Sequence, residues 1–183
     1  MVLAHSEASA GQDFLDSGQY TRESILKYEL VYGANFVSPG GKQCADRLIG
    51  KLDLKPGRSV LDVGCGLGGS AFLMKQKFGL NVDAIDLSDN MLELARLRLT
   101  KAGLDSQVSL YNQNCLDIEV KNAYDGIDSR DVFLHIKEKE KLFAIFFAAL
   151  KPFGKLLFTD YCGSEGPGSE TFTRYVRQRG YHL

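Results

Sequence analysis

Metal and disulfide chemistry are the first things this sequence does not offer. Its four cysteines, Cys44, Cys65, Cys115 and Cys162, lie far apart without a C-x-x-C pair, and three histidines add no ligand-like spacing to them. No metal centre and no disulfide framework can be read, and small buried thiols in a reducing compartment fit better. Long apolar runs are missing too. A chain that is 44% hydrophobic and 25% charged has the composition of a globular protein, against both a membrane span and extended disorder. Charge of one sign is also lacking, because the formal net charge is −1. That gives no general attraction to nucleic acid and favours a small-molecule partner. Residues 1–11 lack the basic start and apolar stretch of a secretory leader, so a cytoplasmic location is expected. There is no internal repeat, low-complexity tract or long linker; 183 residues suffice for one packed domain over 1–183, expected to be a monomer.

Glycine, by contrast, is plentiful where it matters. The run Val60-Leu61-Asp62-Val63-Gly64-Cys65-Gly66-Leu67-Gly68-Gly69 places a G-x-G-x-G turn directly after an apolar strand. Such a turn lets the backbone approach a ligand where side chains would collide. The next strand-like run ends on Asp86, at the spacing of an acid that accepts hydrogen bonds from both ribose hydroxyls. A dinucleotide fingerprint would read G-x-G-x-x-G and a P-loop would end in Gly-Lys-Ser/Thr; neither fits. Asp62 inside the strand further disfavours a pyrophosphate and suits a ligand carrying positive charge. Glycine turns alone often serve only to pack a helix on a strand. The two acids move the reading to a nucleotide-like cofactor.

The remaining pattern supports that pocket. Residues 14–33 carry a helical pattern, Ser38-Pro39-Gly40-Gly41 forms a turn, and a second helix runs over about 42–52. Strands are expected at 59–63, 82–86, 107–111, 126–129 and 155–160, separated by helices at 69–78, 89–102 and 137–150, with a final helix at 170–180. Strand–helix alternation of this kind implies an α/β fold: a mostly parallel sheet with helices on both faces. Residues 14–54 then form a helical lid segment and 58–183 the cofactor-binding sheet. Gly64, Asp86, Asn114, Asp131 and Tyr161 all fall just past strand ends, where ligands of such sheets bind.

D-V-G-C-G-x-G-G resembles motif I of the S-adenosylmethionine-dependent methyltransferases. Further strings are more specific: Phe14 to Tyr20, Lys27-Tyr28-Glu29, Phe36 to Gly41, Ser129-Arg130-Asp131, Leu134-His135-Ile136, Thr159 to Cys162, and Tyr175 to Tyr181. Together they are similar to the phosphoethanolamine N-methyltransferases, along nearly the whole chain. The resemblance implies a Rossmann-like class I fold, S-adenosyl-L-methionine as cofactor, and N-methylation of phosphoethanolamine towards phosphocholine in phospholipid synthesis. It implies that Tyr28, Val37, Ser38, Asp62, Gly64, Gly66, Asp86, Leu87, Asn114, Cys115, Ser129 and Arg130 hold the cofactor. Gln19, Tyr20, Tyr28, Asp131, Tyr161, Tyr175, Arg179 and Tyr181 would hold the substrate. Asp131 would bind the amine and accept its proton, while His135 pairs with Tyr20 to close over both ligands. The chemistry of these side chains agrees: hydroxyls and a guanidinium suit a phosphate, and an amine must lose its proton before attack. Taken alone, Asp131 would equally cap a turn, and Tyr175 to Tyr181 would equally form an amphipathic surface helix.

Three departures from the family stand out. Asn114 occupies a position where an acid is expected at the adenine, Asp128 interrupts a strand that should be apolar, and the usual antiparallel strand pair is absent after Tyr181. Rival readings are a methyltransferase for another small amine or a sterol, and a catalytically weak binding or regulatory form.

Overall fold

The computed structural model describes residues 10–166 and 168–183; residues 1–9, most of the segment read for a leader, lie outside the described residues. Five strands form one sheet in the order β3-β2-β1-β4-β5, with every pairing parallel. They are β1 (Ser59–Val63), β2 (Asn81–Asp86), β3 (Val108–Asn112), β4 (Tyr124–Arg130) and β5 (Leu150–Thr159).

Strand β1 shows why the sheet sits between two layers. Successive side chains point to opposite faces. Val60 packs with Ala45, Ile49, Ala71 and Phe72, whereas Leu61 and Val63 pack with Ile127, Leu142 and Phe146. Helices α3 (Gly41–Gly50), α4 (Gly69–Phe78) and α5 (Asp89–Lys101) therefore cover one face, and α6 (Lys139–Ala149) covers the other. Each such fully buried aliphatic side chain contributes about 1.5–3 kcal/mol from leaving water.

Two expectations need correction. The single N-terminal helix over 14–33 is broken into α1 (Ala10–Phe14), a π-type turn Leu15–Gln19 and α2 (Arg22–Tyr32). Thr21 causes the restart: its extended backbone (φ −60°, ψ 150°) and its hydroxyl, which accepts from Ser24 N at 3.3 Å, form an N-cap. The fifth strand starts earlier than residue 155, because Leu150 already pairs with Tyr124 before a register shift ahead of Gly126. Helix α7 (Glu170–Gln178) is the last helix of the described residues and is followed by residues 179–183.

Strand register also locates the departure at Asp128. It lies directly opposite Asp62, both carboxyls are buried, and neither Asp128 oxygen has a hydrogen-bond partner. Burial raises the Asp128 pKa to about 7, opposed by the Arg130 guanidinium. Burial and the neighbouring Asp128 likewise hold the Asp62 carboxyl well above the usual carboxylate range.

Candidate active site

The glycine turn and Asp86 form one unit. Gly64 N and Cys65 N donate to Ile85 O at 2.8 and 2.9 Å, stitching the turn to the end of β2. Gly64 has φ 70°, and a Cβ there would collide with Val132 Cγ2, so only glycine fits. Gly66 N and Ser88 N donate to the two Asp86 oxygens at 2.7 and 2.9 Å. Burial nevertheless raises the Asp86 pKa to about 6, against the lowering effect of these amides. The carboxylate thus keeps acceptor capacity beside a cavity of about 670 Å³. That size lies within the range of about 300–1,000 Å³ for small-molecule sites.

Tyrosines dominate the opposite wall. Six of the eight in the chain, Tyr20, Tyr28, Tyr32, Tyr161, Tyr175 and Tyr181, line this cavity. Tyr20 reaches from the N-terminal segment to His135 in the turn after β4, with hydroxyl and Nε2 3.0 Å apart. Tyr181 packs edge-on against the same imidazole, ring centroids 5.2 Å apart, and Tyr175 packs edge-on against Tyr181 at 6.1 Å. The Arg179 guanidinium lies 5.7 Å from the Tyr175 ring centroid, and the neighbouring Tyr28, Tyr181 and Tyr175 hydroxyls push its pKa up against burial. Backbone ties hold these pieces together: His182 N donates to Leu134 O at 2.6 Å, and Gln19 Nε2 donates to Arg179 O.

Protonation follows from burial. Desolvation lowers His135 to about 4, with Arg179 and His182 adding to the effect, so the imidazole is neutral at neutral pH. Desolvation pushes the Tyr20 hydroxyl far above its ordinary value, so it remains protonated. The pair is a neutral hydrogen-bonded clasp. Burial also pushes Cys115 up to about 12, which removes it as a nucleophile near neutrality.

Asp131 stands where β4 ends, in a left-handed conformation (φ 57°). Its N–H donates to Thr159 O at 2.8 Å and its Oδ1 accepts from the Thr159 hydroxyl at 2.9 Å. The other carboxylate oxygen remains available to a ligand. Two tethers to β5 thus hold a strained backbone in place beside the cavity.

The structure brings most of the expected site residues around one cavity. Val37, Ser38, Leu87, Asn114, Cys115 and Arg130 line the cavity together with the glycine turn, Asp86, Asp131 and the tyrosines; Asp62, Ser129, Gln19 and Arg179 do not line it. Each exception has a local reason. Asp62 turns into the layer beneath the turn, opposite Asp128, and the Ser129 hydroxyl donates to Val63 O at 3.0 Å inside the sheet. The Gln19 side-chain amide is committed to the Arg179 carbonyl, and the Arg179 guanidinium packs over the Tyr175 ring. Arg130 lines the wall while its guanidinium donates to Pro39 O at 2.8 Å, so it braces the Ser38-Pro39 turn. Asn114 Oδ1 accepts from Leu116 N at 3.0 Å, which commits one of its lone pairs to capping a turn. Sequence reasoning missed Gln113, a buried amide on the wall whose Oε1 has no partner. Its position one residue past β3 was the available signal. Among the described residues no group of three or more potential metal ligands occurs, and no helix is long and apolar enough to cross a membrane.

Comparison with known proteins bears on this geometry. Residues 54–176 match the family described as a methyltransferase domain. The chain belongs to that family. It is 46% identical over 173 residues to phosphoethanolamine N-methyltransferase 1 of Arabidopsis thaliana, covering 94% of this chain and 35% of that protein. Against phosphoethanolamine N-methyltransferase of Plasmodium falciparum, identity is 34%, covering 96% of this chain and 66% of the relative. Phosphoethanolamine N-methyltransferase 2 of Haemonchus contortus superposes with a TM-score of 0.92 at 41% identity, over 96% of this chain and 41% of the other. It has been solved with S-adenosyl-L-methionine and, separately, with phosphomonomethylethanolamine and S-adenosylhomocysteine. The present chain thus spans about a third of the Arabidopsis relative's length.

Proposed function

We propose that this methyltransferase-family domain binds S-adenosyl-L-methionine at the glycine turn and Asp86, and methylates the amine of phosphoethanolamine held under the tyrosine wall. The observation that carries this reading is the Tyr20–His135 clasp at 3.0 Å. It joins the N-terminal segment to the turn after β4 across a cavity that also contains Asp86 and Asp131. The relatives named for this activity and the ligands of the Haemonchus enzyme support the same assignment.

The residues fit the cofactor's parts. Asp86 supplies acceptors for ribose hydroxyls, and Gly64 and Gly66, both at positive φ, let the turn fold tightly against Val132 and Val37 at the cavity edge. Bound there, the cofactor supplies a methyl group already activated on a sulfonium. The protein's task is then placement and proton removal. Asp131, with one oxygen tied to Thr159, offers the other to the substrate ammonium and takes its proton. His135 and Tyr20 close over the pair and exclude water. Tyr161, Tyr175 and Tyr181 offer hydroxyls to the phosphate and aromatic faces to the growing methylammonium charge. Arg179 adds positive charge from behind the wall.

Calorimetric titration of the chain with phosphoethanolamine and with free ethanolamine, each in the presence of S-adenosylhomocysteine, tests the assignment. Binding that requires the phosphate is the expected result. Equal affinity for both amines would reject the phosphobase reading and support its rival, a methyltransferase for another small amine.

A further inference from the structure

The N-cap and first turn of α5 touch both halves of the site; Met91 lines the cavity, whereas Ser88, Asp89 and Asn90 do not. Ser88 N donates to Asp86 Oδ1 at 2.9 Å, while Ser88 Oγ and Asp89 N, the latter at 3.0 Å, donate to the Asp16 carboxylate in the N-terminal segment. One residue further on, the Asn90 amide nitrogen donates to two carbonyls, Asp16 O at 3.1 Å and Tyr20 O at 2.9 Å. Asp16 lies in the π-type turn Leu15–Gln19 and Tyr20 caps it, Tyr20 N donating to Leu15 O at 2.7 Å. An Asn side chain has two amide hydrogens, so both are used here. Asn90 therefore fixes the backbone from which the Tyr20 ring reaches His135.

We propose that Asn90 is a positioning residue that holds the N-terminal segment in the closed geometry and couples occupancy of the Asp86 end to closure over the substrate end. The coupling follows from shared parts. Ser88 holds Asp86 through its amide and Asp16 through its hydroxyl, so ordering of α5's first turn by a ligand at Asp86 also orders the anchor points of the Tyr20 segment. Two ligands that order the same element favour one another's binding, and the linkage is reciprocal. The assignment rests on the functional reading above, in that it takes the Asp86 end as the cofactor's and the tyrosine end as the phosphobase's.

A double-mutant cycle on the full chain tests it. In wild type, saturating phosphoethanolamine should tighten S-adenosylhomocysteine binding, with a coupling factor of about fivefold or more. Asn90→Ala should leave the affinity for S-adenosylhomocysteine alone within about twofold while bringing the coupling factor towards one. Tyr20→Phe should reduce the coupling similarly, and the double variant should lose nothing further, because both changes break one linkage. A merely structural role would instead lower both affinities additively. Hydrogen exchange of the ligand-free protein supplies a readout independent of the assigned ligands: Asn90→Ala should speed exchange in residues 15–20 and not in β1 or α4. Asp16→Asn, which weakens the same anchor, should give the same local pattern. Unchanged exchange at residues 15–20, or coupling retained in Asn90→Ala, overturns the proposal. If neither ligand binds wild type, the functional reading fails and the exchange data alone decide whether Asn90 holds the segment.

Discussion

At the scale of single residues, the proposed cofactor role of Asp86 predicts an acid limit to binding. In that role ribose hydroxyls would donate to the ionised carboxyl, whose pKa burial has raised to about 6. Affinity for S-adenosyl-L-methionine should hold near neutrality and fall as pH drops through about 6, with a proton taken up as ligand leaves. Asp86→Asn should weaken binding about 10- to 100-fold, from a charge-assisted bond worth about 1.5–3 kcal/mol, and flatten that pH profile. Titration of both proteins between pH 5 and 8 checks this; a variant with unchanged affinity would remove the ribose assignment. Gly64 and Asp86 were legible in the sequence because their roles depend on strand ends and local spacing. Asn90 and Gln113 were not, since an amide reaching a carbonyl 70 positions away, or an orphan acceptor on a cavity wall, leaves no pattern along the chain.

Among the elements, β4 carries an internal conflict. Asp128 was legible as an intruder in a strand, but its neighbour was not, because the pairing with Asp62 depends on register between strands distant in sequence. Its folded pKa of about 7 stands above the ordinary 3.8. The unfolded state therefore loses its proton first, and stability from this group declines as pH rises from about 4 to about 7. Asp128→Asn should abolish that decline and stabilise the protein above pH 7 by on the order of a few kcal/mol. His135 acts in the opposite sense: its folded pKa is lowered to about 4 from 6.5, so its contribution is complete above about 6.5 and lost as pH falls towards 4. Denaturant melts of wild type and Asp128→Asn across pH isolate the Asp128 part as their difference; parallel curves would contradict it.

Helix α7 makes the converse case, an element whose worth is the site rather than the core. No residue of Glu170–Gln178 is buried, yet Phe172, Tyr175 and Val176 line the cavity. Deleting residues 170–183 should abolish phosphoethanolamine binding while changing cofactor affinity by less than about tenfold, with little loss of thermal stability. Calorimetry and melting of the shortened chain check this. A large drop in melting temperature would instead make α7 part of the core. Its helical character was legible from apolar spacing, but its placement against His135 was not, because that depends on backbone ties such as His182 N to Leu134 O.

For the whole molecule, alternation of strands and helices gave the parallel sheet and its layers, and local capping explains the one helix that had to be divided. The site is harder to read at this scale because it is assembled from three places: strand ends, the N-terminal segment and the C-terminal helix. As proposed, this assembly transfers a methyl group to a phosphorylated amine with Asp131 taking the proton. Single-turnover reaction of methyl-labelled S-adenosyl-L-methionine with phosphoethanolamine, on wild type and Asp131→Ala, tests that claim most directly. Wild type should yield labelled phosphomonomethylethanolamine, and the variant should react about 100-fold more slowly or worse, with cofactor affinity retained. Wild type that binds both ligands yet transfers no label, or a variant that keeps the wild-type rate, would contradict it.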